Sequence, residues 1–267
     1  MFCFLSHFQS HKSETPPADY SSLVRYGLID FHSHILPGID DGSKDVATSL
    51  AMLNAMAEQG VGICIATPHF YGYRCGTEEF FARRNKAWEQ LQKELPGGMP
   101  EIYLGAEVAL YSELPDLTDE ELDDLCVENT RILLLEMPFA QWTGYDVELV
   151  AQLSIQRGYT VVLAHLDRFL DLQKDDGALE NLLQMPLYVQ INARSLLTWG
   201  DRKKSLKLFR EEKAHLLGSD CHDLKDRKPN LQEARKVLEK KLGGDILRQI
   251  DELGNDLLAQ TIGRCVG

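Results

Sequence analysis

His32-Ser33-His34 is the sharpest chemical pattern in this 267-residue chain. On a strand, residues i and i+2 point to one side, so both imidazoles can reach a single metal ion. Asp220-Cys221-His222 repeats the spacing with a carboxylate and an imidazole. His69 and His165 add two imidazoles, and Asp41 and Glu107 add two carboxylates. Neutral imidazoles and carboxylates without thiolates suit Mn²⁺, Fe or Zn²⁺. Taken singly, each residue has a plain structural reading. A strand-end histidine is usually a satisfied polar group, and Asp40-Asp41-Gly42 reads equally well as a turn. Five histidines and three acids gathered at one mouth are harder to explain that way, because burying them without cations is costly.

The elements that must gather them alternate regularly. Apolar runs fall at about residues 28–35, 61–68, 101–108, 131–138, 159–165, 187–193 and 215–220. Several lack polar alternation, as strands covered on both faces should. Helical segments lie between most of them. Ser43 is expected to cap a helix that stops at Gly60, and Thr77 to cap a second. Thr118 opens a capping box, and a helix over 145–157 stops at Gly158. Further helices are expected near 176–184, 202–213, 230–241 and 244–260. Strand–helix alternation predicts an α/β fold with parallel strands and right-handed crossovers. A barrel and an open doubly wound sheet both fit, although no Gly-rich turn follows the first run. In a barrel, every candidate ligand would sit at the C-terminal mouth.

Composition narrows the partners. Lys and Arg number 28 against 41 acids, a formal charge of −13. Such an anion is a poor ligand for nucleic acid or anionic lipid. A phosphate substrate would need local positive charge built against that field. Apolar residues make up 44% of the chain, enough for a sizeable core in a single domain over residues 26–267. Residues 1–25 read as a polar tail, with Pro16-Pro17 marking a linker. No apolar stretch reaches a membrane span, and the start has no basic leader region. Six scattered cysteines without CxxC spacing suggest a reducing, cytoplasmic setting.

Cys221 through Arg227 has the Cys-x5-Arg spacing of thiolate phosphatases. That chemistry needs a Gly-rich cradle, whereas this loop holds Asp223 and Asp226 and no glycine. Alternation also points Cys221 away from Asp220 and His222. Walker, Gly-x-Ser-x-Gly and His-Glu-x-x-His motifs do not occur.

The ordered motifs Asp30-Phe31-His32-Ser33-His34, Pro37-Gly38-Ile39-Asp40-Asp41-Gly42, Thr67-Pro68-His69, Gly105-Ala106-Glu107, Ala164-His165-Leu166-Asp167-Arg168 and Gly218-Ser219-Asp220-Cys221-His222 resemble a known superfamily. The chain resembles the polymerase and histidinol phosphatase (PHP) domain. More narrowly, it resembles the bacterial metal-dependent protein-tyrosine phosphatases of capsule and exopolysaccharide assembly. The resemblance covers about residues 28–260. It implies a distorted seven-stranded TIM-like (β/α) barrel holding three divalent ions, Mn²⁺ first, with Fe or Zn as alternatives.

Carried over by motif, His32, His34, Glu107 and Asp220 hold one ion. Glu107, His69 and His165 hold a second, and Asp41 and His222 hold the third. Arg168 and Arg227 match the phosphate-binding arginines. Three ions bring about +6 against about −3 from the acids, which would answer the charge problem. The resemblance further implies a metal-activated hydroxide attacking phosphorus in line. The implied partner is a phosphotyrosine protein, a bacterial tyrosine kinase with a tyrosine-rich C-terminal tail. No nucleic acid and no membrane insertion are expected, and homo-oligomerisation is open. The alternatives are a histidinol-phosphate phosphatase and a non-catalytic binder of the kinase tail. Tyr71, Tyr73, Phe139, Trp142 and Tyr145 are candidates to stack on a substrate ring or to pack the rim. Glu136 and Asn192 are candidate partners of the ligands, and Asp30 could hydrogen-bond one of them.

Overall fold

A computed structural model of the protein describes residues 27–174 and 177–260. The expected tail over residues 1–25 lies outside the described residues. Nine strand segments are present: β1 (Leu28–Ser33), β2 (Val61–Ala66), β3 (His69–Phe70), β4 (Glu101–Leu104), β5 (Glu107–Ala109), β6 (Ile132–Glu136), β7 (Thr160–Leu163), β8 (Tyr188–Asn192) and β9 (Leu216–Gly218). All pair in parallel, in the orders β1-β2-β4 and β3-β5-β6-β7-β8-β9.

The described residues therefore form nine segments in two sheets where seven strands are expected. Two breaks make the difference. Thr67 and Pro68 separate β2 from β3, and Gly105 and Ala106 separate β4 from β5. A proline has no N–H for a ladder, so the strand gives way there. The backbone stays tied across the breaks, Thr67 N–H donating to Ser33 O and Glu107 N–H to Pro68 O. The sheet curls so that the residues after β9 return to β1. His34 N–H donates to Cys221 O, and Asp220 N–H to His32 O.

The helices are α1 (Val46–Glu58), α2 (Thr77–Glu94), α3 (Asp119–Leu125), α4 (Gly144–Ala151), α5 (Gly177–Leu183), α6 (Ala193–Leu197), α7 (Trp199–Arg210), α8 (Leu231–Leu242) and α9 (Asp245–Ala259). A π-helical turn, Gln152–Gln156, continues α4. Two expected caps are displaced. Asp45, not Ser43, caps α1, accepting from Thr48 N–H at 2.8 Å, a contact worth about 1 kcal/mol. Ser43 is buried and donates to Asp45 O instead. Gly76 precedes α2, and Thr77 Oγ1 donates to Glu121 Oε1. The Thr118 capping box forms as expected.

Two apolar clusters divide the strand faces. Leu133, Leu135, Val161 and Leu163 pack into the larger cluster with helix residues such as Met52, Leu91 and Leu208. Leu134 and Val162 belong to a smaller cluster, joined by residues of β1, β2, β9 and α9. Period-two alternation puts Glu136 on the Leu134 face. The inner face thus changes from apolar to ionisable toward the C-terminal strand ends. No helix among the described residues is long and apolar enough to cross a membrane.

Candidate metal centre

Glu107, at the start of β5 and buried, is the hub of the site. Its Oε2 lies 3.2 Å from His32 Nε2, 3.3 Å from His34 Nε2 and 2.8 Å from His69 Nδ1. Its Oε1 lies 2.7 Å from His165 Nε2. Asp220 Oδ1 stands 3.6 Å from His32 Nε2 and 3.4 Å from His34 Nε2. Asp41 Oδ1 lies 3.3 Å from His69 Nε2 and 3.4 Å from His222 Nε2. All eight expected ligands converge.

Four groups offer ligand atoms within 4.8 Å of one another: His34, Asp41, His69 and His222; His32, Glu107 and His165; His32, His34 and Asp220; and His69, Glu107 and Glu136. The grouping differs from that implied by resemblance. His34 and His69 join Asp41 and His222, and Glu136 enters a group with His69 and Glu107.

Neighbouring residues set the imidazole orientations. His34 Nδ1 faces Asp40 Oδ2 at 2.8 Å, and His32 Nδ1 faces Gln190 Oε1 at 3.2 Å. His222 Nδ1 donates to Asp220 O at 3.1 Å. With Nδ1–H committed in each ring, the Nε2 lone pairs turn inward. Gln190 also accepts the His165 N–H and donates to Asn192, which in turn donates to Asp220 Oδ2 at 2.7 Å. Asp30 hydrogen-bonds a candidate ligand, His32, as expected, but through the backbone and not the imidazole. Its Oδ1 accepts the Ser219 and His32 backbone N–H groups, pinning β1 to the β9 loop. His165 and Asp220 have φ of +32° and +52°, two of four non-glycine residues in that region among the described residues. Such backbone costs energy and is kept where the fold over-determines it.

The donor set fits divalent ions. His32 Nε2 and His34 Nε2 face each other at 3.1 Å, with both Nδ1 atoms already assigned as donors. Two lone pairs at that distance repel unless a cation or proton lies beside them. Buried Glu107 Oε2 accepts no hydrogen bond, although three imidazole nitrogens surround it. Burial lowers the pKa of His69, but Asp41 and Glu107 overcome it and raise the value to about 9. His165 is likewise raised to about 9, against burial, by Glu107 and Glu136. The carboxylates thus create a field that demands positive charge.

Arg168 and Arg227 stand at the edge of this cluster. Arg227 Nη2 lies 2.6 Å from Asp220 Oδ1, and its Nη1 lies 3.9 Å from Asp41 Oδ2. Arg168 Nη1 lies 3.5 Å from His165 Nε2 and 3.8 Å from Asp220 Oδ2. The Arg168 guanidinium also sits 4.8 Å over the ring of exposed Phe139. Tyr71 stacks on His69 with ring centroids 5.2 Å apart. Trp142 is buried against Phe169 and packs the rim, so it is not available to a substrate. Cys221 is wholly buried, and that burial pushes its thiol pKa far up.

The family model described as capsular polysaccharide synthesis, CpsB/CapC, matches residues 28–255. The chain belongs to this family. It is 34% identical over 244 residues to the tyrosine-protein phosphatase YwqE of Bacillus subtilis, covering 89% of this chain and 94% of that protein. It is 29% identical over 233 residues to the tyrosine-protein phosphatase CpsB of Streptococcus agalactiae, covering 84% and 94% respectively. A solved structure from the work on YwqE of Bacillus subtilis and CpsB of Streptococcus pneumoniae, described as unique metal-dependent tyrosine phosphatases, superposes with a TM-score of 0.74. That match has 29% identity and covers 88% of this chain and 96% of the other. An amidohydrolase at 12% identity and a TM-score of 0.50 shares the fold. This CpsB/CapC chain therefore carries its convergent histidines and acids on a scaffold shared with those relatives.

Proposed function

We propose that this CpsB/CapC chain is a metal-dependent protein-tyrosine phosphatase, a phosphoric monoester hydrolase. Its substrate is a phosphotyrosine protein, a tyrosine kinase of capsular or exopolysaccharide synthesis, met in the cytoplasm. The observation that carries this reading is the convergence of four imidazoles on Glu107, at 2.7–3.3 Å, from strands far apart in sequence.

His32, His34, Asp41, His69, Glu107, His165, Asp220 and His222 would hold the ions, three by our reading and Mn²⁺ foremost. Such ions, when bound, supply Lewis acidity and lower the pKa of water toward neutrality. The chain's own residues do the rest. Gln190 and Asp40 keep the imidazoles turned inward. Arg168 and Arg227 present their N–H groups toward Asp220 and hold the phosphoryl oxygens, two at a time where the planar fork allows. Charge that builds on those oxygens in the transition state is met by guanidinium groups already in place. The phenol set free has a pKa of about 10, low enough to leave with little proton assistance.

The test is turnover by Mn²⁺-loaded protein of a phosphotyrosine peptide beside histidinol phosphate. A kcat/KM for the peptide at least about tenfold higher supports the reading, a preference of about 1.4 kcal/mol. A preference for histidinol phosphate overturns it in favour of a small-molecule phosphatase. Peptide binding without phosphate release overturns it in favour of a binding protein.

A further inference from the structure

Among the described residues, six large hydrophobic side chains are exposed: Tyr73, Phe139, Tyr145, Ile155, Trp199 and Leu224. Solitary exposed apolar residues are ordinary. Their distribution over this fold is not. The strands are all parallel, so every segment leaving a strand emerges at one end, the end that holds the metal cluster. Tyr73 follows β3 and Phe139 follows β6. Tyr145 opens α4 and Trp199 opens α7, helices that return from that same end. Leu224 lies between His222 and Arg227 after β9. Ile155 alone sits elsewhere, in the π-helical turn that leads to the start of β7.

Phe139 adjoins the site directly, and Tyr73 adjoins it through Tyr71. Tyr73 lies 5.7 Å from Tyr71, whose ring stacks on His69. Phe139 carries the Arg168 guanidinium on its face and lies 6.3 Å from the His165 ring. The metal-ligating atoms themselves are recessed, His32, His34, Glu107 and His165 being at most 1% exposed. A phosphotyrosine side chain that reaches them brings its own backbone only as far as the rim. The residues on either side of it must then lie against the exposed collar.

We propose that this collar is a docking surface for an extended polypeptide segment, in which apolar side chains flank the phosphotyrosine. The proposal rests on the phosphatase reading above and adds the class of substrate. Continuity with the metal cluster places the occupant: Phe139 carries Arg168, Tyr73 adjoins the Tyr71 ring that stacks on His69, and Leu224 lies in the loop between His222 and Arg227. Charge selects among flanking sequences. A chain of formal charge −13 repels acidic flanks, and the collar supplies aromatic and aliphatic surface in their place. Trp199, 90% exposed, is the strongest anchor, since large aromatics contribute most when an interface desolvates them.

The test uses the full chain loaded with Mn²⁺ and three substrates: free phosphotyrosine, a phosphotyrosine peptide with Leu, Val and Tyr flanks, and one with Gly and Ser flanks. Trp199→Ser and Tyr145→Ser, alone and combined, are compared with the unaltered protein. The expected result is a lower KM for the apolar-flanked peptide. The variants raise that KM at least about fivefold with kcat unchanged, and alter kcat/KM on free phosphotyrosine less than about twofold. Equal KM values for the two peptides, or variants that change all three substrates in parallel or none, overturn the proposal. Variants that dissociate a dimer in sedimentation while peptide KM stays fixed assign the collar to a second copy of this chain, and overturn it too. Failure to turn over free phosphotyrosine strikes the phosphatase reading itself.

Discussion

His34 Nδ1 and Asp40 Oδ2 lie 2.8 Å apart, and that oxygen also accepts the His69 backbone N–H at 3.1 Å. One carboxylate thus fixes two neighbouring candidate ligands. Burial pushes the Asp40 pKa up, but His34 and the Gly42 N–H hold it down at about 2. Asp40→Ala should weaken Mn²⁺ binding about 10- to 100-fold, with Asp40→Asn falling between it and the unaltered protein. Calorimetric Mn²⁺ titration reads this directly. An unaltered affinity in Asp40→Ala removes the orienting role.

Gly218 leaves room for the site. A Cβ there would lie 2.5 Å from His32 Cβ and 2.8 Å from Gln190 Nε2, both hemmed in by the core. Gly218→Ala should destabilise the fold by about 1–3 kcal/mol. Its metal content after dialysis should also fall, because His32 and its Gln190 support are displaced together. Thermal melting and metal analysis of the variant check both parts.

Arg168 keeps its place by lying on Phe139, with its N–H groups toward His165 and Asp220. A lysine keeps the charge and loses the planar fork. Arg168→Lys should lower kcat/KM on a phosphotyrosine peptide about tenfold or more while bound metal stays constant. Loss of metal in step with activity would instead make Arg168 part of the cage.

Cys221 is the nucleophile that the Cys-x5-Arg spacing falsely offers. Its thiol is buried and held protonated by that burial. Cys221→Ser should keep kcat within about threefold, since a thiol that cannot ionise takes no part in the chemistry. A collapse of turnover in a folded, metal-loaded variant would falsify the metal-based account.

His215 gives a pH dependence unconnected with the metal. Burial lowers its pKa from 6.5 to about 4, and its Nδ1 accepts the Val189 N–H. Between those values the unfolded chain binds the proton and the folded one does not, so stability rises with pH. The contribution is complete above 6.5 and lost as pH falls toward 4, amounting to at most about 3 kcal/mol. Denaturant melts from pH 7 to 4 should show a shallower decline in His215→Asn. Parallel curves would refute the assignment.

Much of this was legible in the residue order. The HxH spacing marks candidate ligands because β1 alternates, and a parallel fold brings strand ends together however distant their positions. Asp220-Cys221-His222 lies beyond β9, with Asp220 at φ +52°, so the turn and not strand alternation brings Asp220 and His222 to the cluster. All eight expected ligands lie in the cluster. What spacing could not show was lateral. Asp40 sits beside Asp41 in one turn, and only the three-dimensional path shows that Asp40 reaches His34 while Asp41 reaches His69 and His222. Gln190 lies inside β8, and its spacing does not name it as the partner of His32 and His165. A polar residue in that strand, two before Asn192, was the available signal. The Pro68 break was readable as a missing N–H, whereas the Gly105 and Ala106 break carried no such mark. Ser43, the expected cap, is instead buried with its hydroxyl 2.8 Å from that of Ser49, and Asp45, next to the first turn, caps α1.

The most direct measurement is metal stoichiometry on the folded protein together with phosphotyrosine-peptide turnover before and after chelation. The account predicts three divalent ions per chain, loss of turnover on chelation, and recovery with Mn²⁺. A folded protein that binds no divalent ion, or one that hydrolyses the peptide equally well without it, contradicts the account.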